Sequence, residues 1–127
     1  MTVLTDLPGS QILAALENGF SQVEKGSGRF PQVSGIEVVF DPAADAGSRV
    51  VSVKVGGAAL DPDKVYSVAT NDYMLSGGDG YAALGGGKLR INAGNGNLMA
   101  NDVMDYIGVA GQITSRVEGR IKLVGGN

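Results

Sequence analysis

The sequence predicts an α+β fold in which a mixed β-sheet has helices packed against it. Short runs rich in β-branched and aromatic residues, which favour strands, are interspersed with two segments of helical apolar periodicity. The 21 glycines mostly cluster between these segments without a repeating period, so they mark loops rather than a repeat architecture. With 127 residues, of which 43% are hydrophobic, the chain can bury one core, and we expect residues 1–127 to form a single domain.

The first half of the chain predicts a strand stub, a helix and a hairpin. Val3 and Leu4 are interpreted as the stub of an edge strand, and Pro8 suits the first turn of a helix. The apolar stripe of that helix consists of Ile12, Leu13, Leu16 and Phe20. Segments 33–40 and 49–55 predict two strands joined by a polar loop. In the second strand, alternation predicts one face that carries Val51, Val53 and Val55, with Val50 on the other.

The second half of the chain predicts three further elements. A turn over 61–63 precedes a strand over 65–69, where valine and tyrosine favour extended backbone. A second helix is expected over 98–109, and the residues expected to face inward are Met99, Val103 and Ile107. Residues 120–124 predict a final strand.

Composition and charge exclude several classes of function. A net charge of −3 with a pI near 4.7, and Lys and Arg residues that are scattered, argue against a nucleic-acid partner. No apolar run approaches the ~20 residues that cross a bilayer, so no membrane partner is expected. The chain has no histidine and no cysteine, which excludes soft-ligand zinc sites and a histidine-activated nucleophile.

Segment 65–81 predicts a ligand site. A strand ends near Asn71, one turn of apolar residues follows, and Gly-Gly-Asp-Gly completes the segment. Ligands often bind at strand ends of this kind. Three glycines permit positive φ and let a ligand approach the backbone, namely Gly77, Gly78 and Gly80. The Asp79 carboxylate suits a ribose diol, and the rings of Tyr73 and Tyr81 offer faces on which a base can stack.

The same segment also has a purely structural interpretation, in which Asp79 caps backbone amides and both tyrosines pack in the core. Asp72 and Asp79 form a weaker candidate for acid–base work or calcium binding, because the ligand spacing of a calcium loop is missing. Asp72 alternatively caps a helical turn. Arg29 lies either beside a ligand or, as is more usual for a guanidinium in a turn, on the solvated surface. Phe30 is expected to be a packing residue.

One family resemblance covers nearly the whole chain. The run Tyr66–Tyr73, followed by Gly77–Tyr81, resembles the signature of the C-terminal domain of 5′-nucleotidases. Further stretches are similar to the same family and occur in the family's order, namely Gly9–Leu13, Arg29–Gly35 and Val117–Ile121. The segment Gly77–Tyr81 is the most specific part of the resemblance.

The resemblance implies a substrate-recognition domain. In the family, a two-metal phosphoesterase domain performs the hydrolysis, and the C-terminal domain holds the base of a nucleoside between two aromatic rings. By position, Tyr73 matches one stacking ring and Asp79 matches the acid that bonds the ribose hydroxyls. The loop that shapes the pocket is matched by Gly77, Gly78 and Gly80. Asn71 matches the polar residue that opens the motif, and Tyr81 matches a usually aromatic position to which no ligand contact is carried over.

Two sequence motifs that are usual in the family are missing from this chain. An Asn-Gly-Gly-Gly-Ile-Arg-like motif and a Leu-Pro-Phe-Gly-type motif, which supply polar contacts and the second ring, are both absent. We therefore expect a trimmed piece of a longer protein that hydrolyses no nucleotide and holds no cofactor by itself. The two divalent metal ions of the family belong to its phosphoesterase domain. The implied partners are a nucleoside or nucleotide and that phosphoesterase domain, and the parent is expected to be periplasmic, secreted or on the cell surface.

Two functions remain open at this point. The first is nucleoside recognition, and the alternative is a structural or assembly module without ligand affinity. The start of the chain at Val3-Leu4 also predicts a homodimer, or an exchange of elements between copies, through an uncovered sheet edge.

Overall fold

Two β-sheets with helices packed against them form the fold, which confirms the predicted α+β class. The structure is a computed structural model that describes residues 1–125. In chain order the strands are β1 (Thr2–Pro8), β2 (Ile36–Phe40), β3 (Val50–Val55), β4 (Ala58–Ala59), β5 (Val65–Asn71), β6 (Lys88–Ile91) and β7 (Ile121–Leu123). The α-helices are α1 (Gly9–Phe20), α2 (Asp72–Leu75) and α3 (Met99–Ala110), and short 3₁₀ helices occur at Val23–Lys25, Gly78–Gly80 and Ala82–Gly86. The strands are divided between two sheets, where the sequence predicts a single one.

The first strand of the chain is central in its sheet. The three-stranded sheet has the order β5-β1-β6, and both pairings of β1 are antiparallel. Val3 pairs with Thr70 and Leu4 with Ala69 on one side, while Leu4 pairs with Ile91 on the other. The prediction of an edge strand at Val3 and Leu4 is therefore wrong. The prediction of a dimer through that edge therefore loses its basis, because β1 is already paired with a strand on each side.

The second sheet contains the predicted hairpin. Its order is β4-β3-β2-β7, in which β2 and β7 are parallel and the other pairs are antiparallel. The strand predicted over 33–40 begins only at Ile36, and the predicted closing strand is observed as Ile121–Leu123. Strands β4 and β6 are not predicted by the sequence. Both are short, and all their residues are exposed, so neither has a buried face that would produce a strand pattern.

A β-bulge changes which valines of β3 face the core. Phe40 pairs with Val50 and Val39 pairs with Ser52, so Val51 has no partner residue across the hairpin. Val51 is 59% exposed, whereas Val50 is partly buried. The prediction that Val51 shares the face of the other odd-numbered valines is therefore wrong, because the extra residue reverses the alternation at this point.

Helix α1 connects the two sheets through the core. The apolar stripe predicted for this helix is largely confirmed, since Ile12, Leu16 and Phe20 are buried and Leu13 lies at the rim with 36% exposure. The Phe20 ring stacks on the Phe40 ring with centroids 4.2 Å apart. Phe30 meets both of these rings edge to face, as expected of a packing residue. This aromatic group holds the end of α1 against the second sheet.

Helix α3 forms where the sequence predicts it but buries no apolar face. No residue between 99 and 110 is buried, and Met99 and Val103 are 52% and 50% exposed. The prediction that these two residues face inward is wrong, and Ile107 is only partly buried. Apolar periodicity identifies the face of a helix, but it does not supply a surface for that face to pack on. Within residues 1–125, no helix has the length and apolar character needed to span a membrane.

A polar contact ties α3 to the first strand. The Asp102 carboxylate, in the first turn of α3, accepts hydrogen bonds from the Thr2 hydroxyl at 2.6 Å and from the Asn97 amide at 3.0 Å. These two hydrogen bonds lower the pKa of Asp102 below its ordinary value, with the bond from Thr2 contributing most.

Candidate functional site

The predicted site begins where β5 ends and α2 starts. Asn71 is the last residue of β5 and the N-cap of α2, and its Oδ1 accepts a hydrogen bond from the backbone N–H of Met74 at 2.8 Å. This bond satisfies one of the free N–H groups at the start of the helix. The side-chain oxygen of Asn71 thus shapes the backbone from which Tyr73 projects. The cap that the sequence considers for Asp72 is supplied by Asn71 instead.

The glycine turn that follows has a backbone that other residues would not easily adopt. Gly77 and Gly80 have φ values of 96° and 81°. Asp79 lies between them with φ of 55°, and it is the only non-glycine residue with positive φ among residues 1–125. Non-glycine residues held in this conformation are uncommon and cluster at functional sites. The turn therefore presents Asp79 in a conformation that the surrounding structure has to maintain.

Tyr73 and Asp79 are brought together and are both accessible. The Tyr73 side chain is 60% exposed, and its hydroxyl donates a hydrogen bond to Asp79 Oδ1 at 3.2 Å. Gly78 lies against this ring, since a Cβ on Gly78 would be 2.4 to 2.6 Å from three ring atoms of Tyr73. The result is an open shelf that consists of a phenol ring backed by glycine, with a carboxylate at its hydroxyl end.

Tyr81 has a different role from Tyr73. It is 4% exposed, and its hydroxyl donates a hydrogen bond to the backbone carbonyl of Arg29. Burial raises the pKa of Tyr81 to about 12. The purely structural interpretation of the two tyrosines is thus correct for Tyr81 and wrong for Tyr73. Only one of the two rings that flank the turn presents a face to solvent.

The burial of Tyr81 predicts an alkaline loss of stability. A tyrosine whose pKa is raised from 10.0 to about 12 stabilises the fold fully below pH 10, and this contribution is lost as the pH rises to about 12. Tyr81→Phe should therefore lose less of its stability than the wild type between pH 10 and pH 12. Urea unfolding midpoints at both limits measure this, with the exposed Tyr106→Phe as control. An equal loss in Tyr81→Phe and wild type would contradict the assignment.

Two polar residues lie directly beside the turn: Asn18, which the sequence does not place there, and Arg29, which it places either beside a ligand or on the solvated surface. Asn18, in the last turn of α1, donates from Nδ2 to the backbone oxygen of Asp79 at 3.0 Å. Arg29 Nη1 donates to Asn18 Oδ1 at 3.2 Å. Arg29 is partly buried, so its interpretation as a solvated surface charge is wrong. The only sequence signal for Asn18 is that asparagine, a poor helix former, stands near the end of a predicted helix.

Few side chains at the site could coordinate a metal ion. No cluster of three or more Asp, Glu, His or Cys side chains with the geometry of a metal site is found in residues 1–125. The Asp72 carboxylate accepts a hydrogen bond from the Tyr73 backbone N–H at 3.1 Å. The Asp79 carboxylate instead pairs with the Tyr73 hydroxyl.

Comparison with known proteins identifies the family. The sequence model described as "5'-nucleotidase, C-terminal domain" matches residues 2–86, which is more than half of the chain. The chain belongs to this family. The match includes the whole of the Tyr73–Asp79 shelf, so the resemblance drawn from the sequence is confirmed.

The relatives of this 5′-nucleotidase C-terminal domain can be aligned with nearly its full length. The trifunctional nucleotide phosphoesterase protein YfkN of Bacillus subtilis is 38% identical over 95% of the chain. A snake venom 5′-nucleotidase of Macrovipera lebetinus is 34% identical over 97% of the chain. The crystal structure of a 5′-nucleotidase precursor from Thermus thermophilus superimposes with a TM-score of 0.89, at 40% identity over 99% of the chain.

The domain is a small part of each of these proteins. It spans 8% of the Bacillus protein, 32% of the venom enzyme and 25% of the Thermus chain. The chain thus corresponds to about a third or less of the length of each of these proteins. The roles of Tyr73, Asp79, Asn71 and the three glycines in binding a ligand stay predictions.

Proposed function

We propose that this chain is the nucleoside-recognition part of a 5′-nucleotidase-type phosphoester hydrolase. The observation that carries the proposal is the Tyr73–Asp79 shelf, in which an exposed ring and an exposed carboxylate are joined by one hydrogen bond. A base stacks on the outer face of the Tyr73 ring, because its inner face is occupied by Gly78. The Asp79 carboxylate accepts hydrogen bonds from the ribose hydroxyls, for which its second oxygen is free of protein donors among the described residues.

Each remaining predicted residue supports this arrangement through the backbone. Asn71 caps the helix that carries Tyr73, so it positions the ring. Gly77 and Gly80 allow the turn its positive φ angles, and Gly78 leaves room for the ring. In this proposal only Tyr73 and Asp79 touch the nucleoside with their side chains.

In this proposal the chain does not itself perform the hydrolysis. The chain contains no histidine, and residues 1–125 contain no cluster suited to a metal ion. The relatives are three or more times as long and are named as nucleotidases or phosphoesterases, so we assign the reaction to another part of the parent protein. The venom relatives support a parent protein that is exported.

A second candidate function is a structural or assembly module without ligand affinity. The apolar residues exposed on α3 favour it, since Met104, Tyr106 and Val109 are 60%, 69% and 92% exposed. Tyr106 and Val109 are three residues apart and are therefore neighbours on the helix surface, and exposed apolar neighbours can form part of an interaction site. The two candidates differ in whether Tyr73 and Asp79 respond to a nucleoside.

Titration with adenosine, followed by the backbone amide resonances of the chain, tests the proposal. We expect shifts centred on Tyr73, Asp79 and Gly80, with a Kd on the order of millimolar because one ring and one acid supply few contacts. Tyr73→Ala should abolish the shifts, since stacking on an aromatic ring contributes about 1–3 kcal/mol per base. Asp79→Asn should weaken binding while it keeps the turn, because asparagine tolerates positive φ.

Two matched controls keep the test specific. Tyr106→Ala removes another exposed tyrosine, and Asp105→Asn removes another exposed acid, both on α3. Neither should alter the adenosine shifts. Wild-type resonances that do not move at saturating adenosine would contradict nucleoside recognition by this chain and would favour the assembly module.

A further inference from the structure

The end of helix α1 contacts the turn that carries Asp79. Asn18 Nδ2 donates to the backbone oxygen of Asp79 at 3.0 Å, which joins two positions 61 residues apart in sequence. This bond holds the peptide group between Asp79 and Gly80 rather than the Asp79 carboxylate. It therefore acts on the left-handed backbone conformation of Asp79, with φ of 55°, which few non-glycine residues adopt.

The orientation of the Asn18 amide is set by Arg29. Arg29 Nη1 donates to Asn18 Oδ1 at 3.2 Å and to Ser21 Oγ at 3.3 Å. A guanidinium can only donate hydrogen bonds, and the Asp79 carbonyl can only accept them. The oxygen of the Asn18 amide must therefore face Arg29, and its nitrogen must face Asp79.

The backbone of Arg29 is also held in place by a hydrogen bond. The buried Tyr81 hydroxyl donates to the Arg29 carbonyl, so the segment that carries Arg29 is fixed to the residue directly after the glycine turn. A Cβ on Gly80 would lie 2.5 Å from Asn18 Oδ1 and 3.3 Å from Arg29 Nη1, so the turn and this polar pair are in close contact. The three segments form one connected polar network behind the shelf.

We propose that Asn18, oriented by Arg29, is a positioning residue for Asp79. The inference rests on the proposed function, because it assigns the network to the acid that binds the ribose. The Asn18 donor holds the Asp79–Gly80 peptide in place, and the Tyr73 hydroxyl holds the carboxylate, so the acid is fixed at both ends. Without the donor, the turn samples other backbone conformations, and the carboxylate leaves the hydroxyl end of the ring.

The first part of the experiment needs no ligand. ¹⁵N relaxation order parameters of Asp79 and Gly80, with the three-bond HN–Hα coupling of Asp79, report the mobility and the φ angle of the turn. Asn18→Ala should lower the order parameters and shift the coupling. Asn18→Asp keeps the size of the side chain and an acceptor for Arg29 but loses the donor, so it should do the same. Asn101→Ala, an exposed asparagine on a different helix, should change neither.

The second part measures adenosine affinity and thermal stability together. Loss of the Asn18–Asp79 hydrogen bond, which the two variants have in common, predicts about 3- to 10-fold weaker adenosine binding in Asn18→Ala and Asn18→Asp. The melting temperature of Asn18→Asp should stay close to that of Asn101→Ala, because this variant keeps the acceptor for Arg29 and loses only the exposed bond to Asp79. A residue that only stabilised the fold would lower the melting temperature and leave the order of the folded turn unchanged.

The two proposals fail in different ways. If the order parameters of both Asn18 variants equal those of Asn101→Ala, the positioning role is wrong, whatever the ligand does. If the wild type does not bind adenosine, the proposed function is wrong, and the ligand-free measurements still decide whether Asn18 controls the turn.

Discussion

Replacement of Phe20 with alanine is expected to lower the free energy of unfolding by about 3–5 kcal/mol, the usual cost of deleting a buried aromatic ring. Phe20 is fully buried, and its ring is nearly parallel to that of Phe40, at an interplanar angle of 3°. It also meets the Phe30 ring edge to face at 5.5 Å. The substitution thus removes the central member of the group that fixes α1 to the second sheet.

Urea denaturation followed by near-ultraviolet circular dichroism measures this loss. Phe20→Leu should cost clearly less, because most of the buried volume remains. This second variant keeps the test decisive if the alanine variant is too unstable to fold. Leu13→Ala, at the rim of the same helix, serves as a control for helix content. A loss in Phe20→Ala no larger than that in Leu13→Ala would contradict the central place of this ring in the core.

Gly78→Ala is expected to abolish adenosine binding while it leaves the fold intact. The new methyl group would lie 2.4 Å from Tyr73 Cε2, so the ring has to leave its place. Since Tyr73 is exposed, the ring can turn into solvent at little cost, but its hydrogen bond to Asp79 is then lost. Gly78 does not have a positive φ, so alanine suits its backbone, and stability should change by no more than about 0.5 kcal/mol.

The matched control for this variant is Gly28→Ala. Gly28 likewise has no positive φ, and a Cβ there would meet nothing within 4 Å. Amide shifts on adenosine titration and urea midpoints should be those of the wild type for Gly28→Ala. If Gly78→Ala bound adenosine as tightly as the wild type, the Tyr73 ring in its observed place would not be the surface on which the base stacks.

Local sequence patterns predict the elements of this fold well, because they depend on neighbouring residues. The period of α1 and the β-branched run of β5 identify those elements, and the glycines before Tyr81 indicate the turn. The same glycines, with Tyr73 and Asp79, predict a ligand site, which stays a prediction, and the structure shows that both side chains are accessible and adjacent.

Features that depend on distant partners could not be predicted from the sequence. The central place of β1 follows from its pairing with β6, which has no buried residue to mark it as a strand. The bulge at Val51 depends on the register with β2. Asn18 belongs to the site only because the end of α1 meets a turn 61 residues later. In each case the missing information is a non-local contact.

The lack of buried residues in α3 has a consequence for cooperativity. The two sheets and α1 share one apolar core, whereas α3 contributes no buried residue and is attached to β1 through Asp102. A segment with few buried apolar contacts can open at a free energy well below that of global unfolding. We therefore expect the backbone amides of α3 to exchange with solvent before those of the sheets, through a local opening that leaves the sheets and α1 folded.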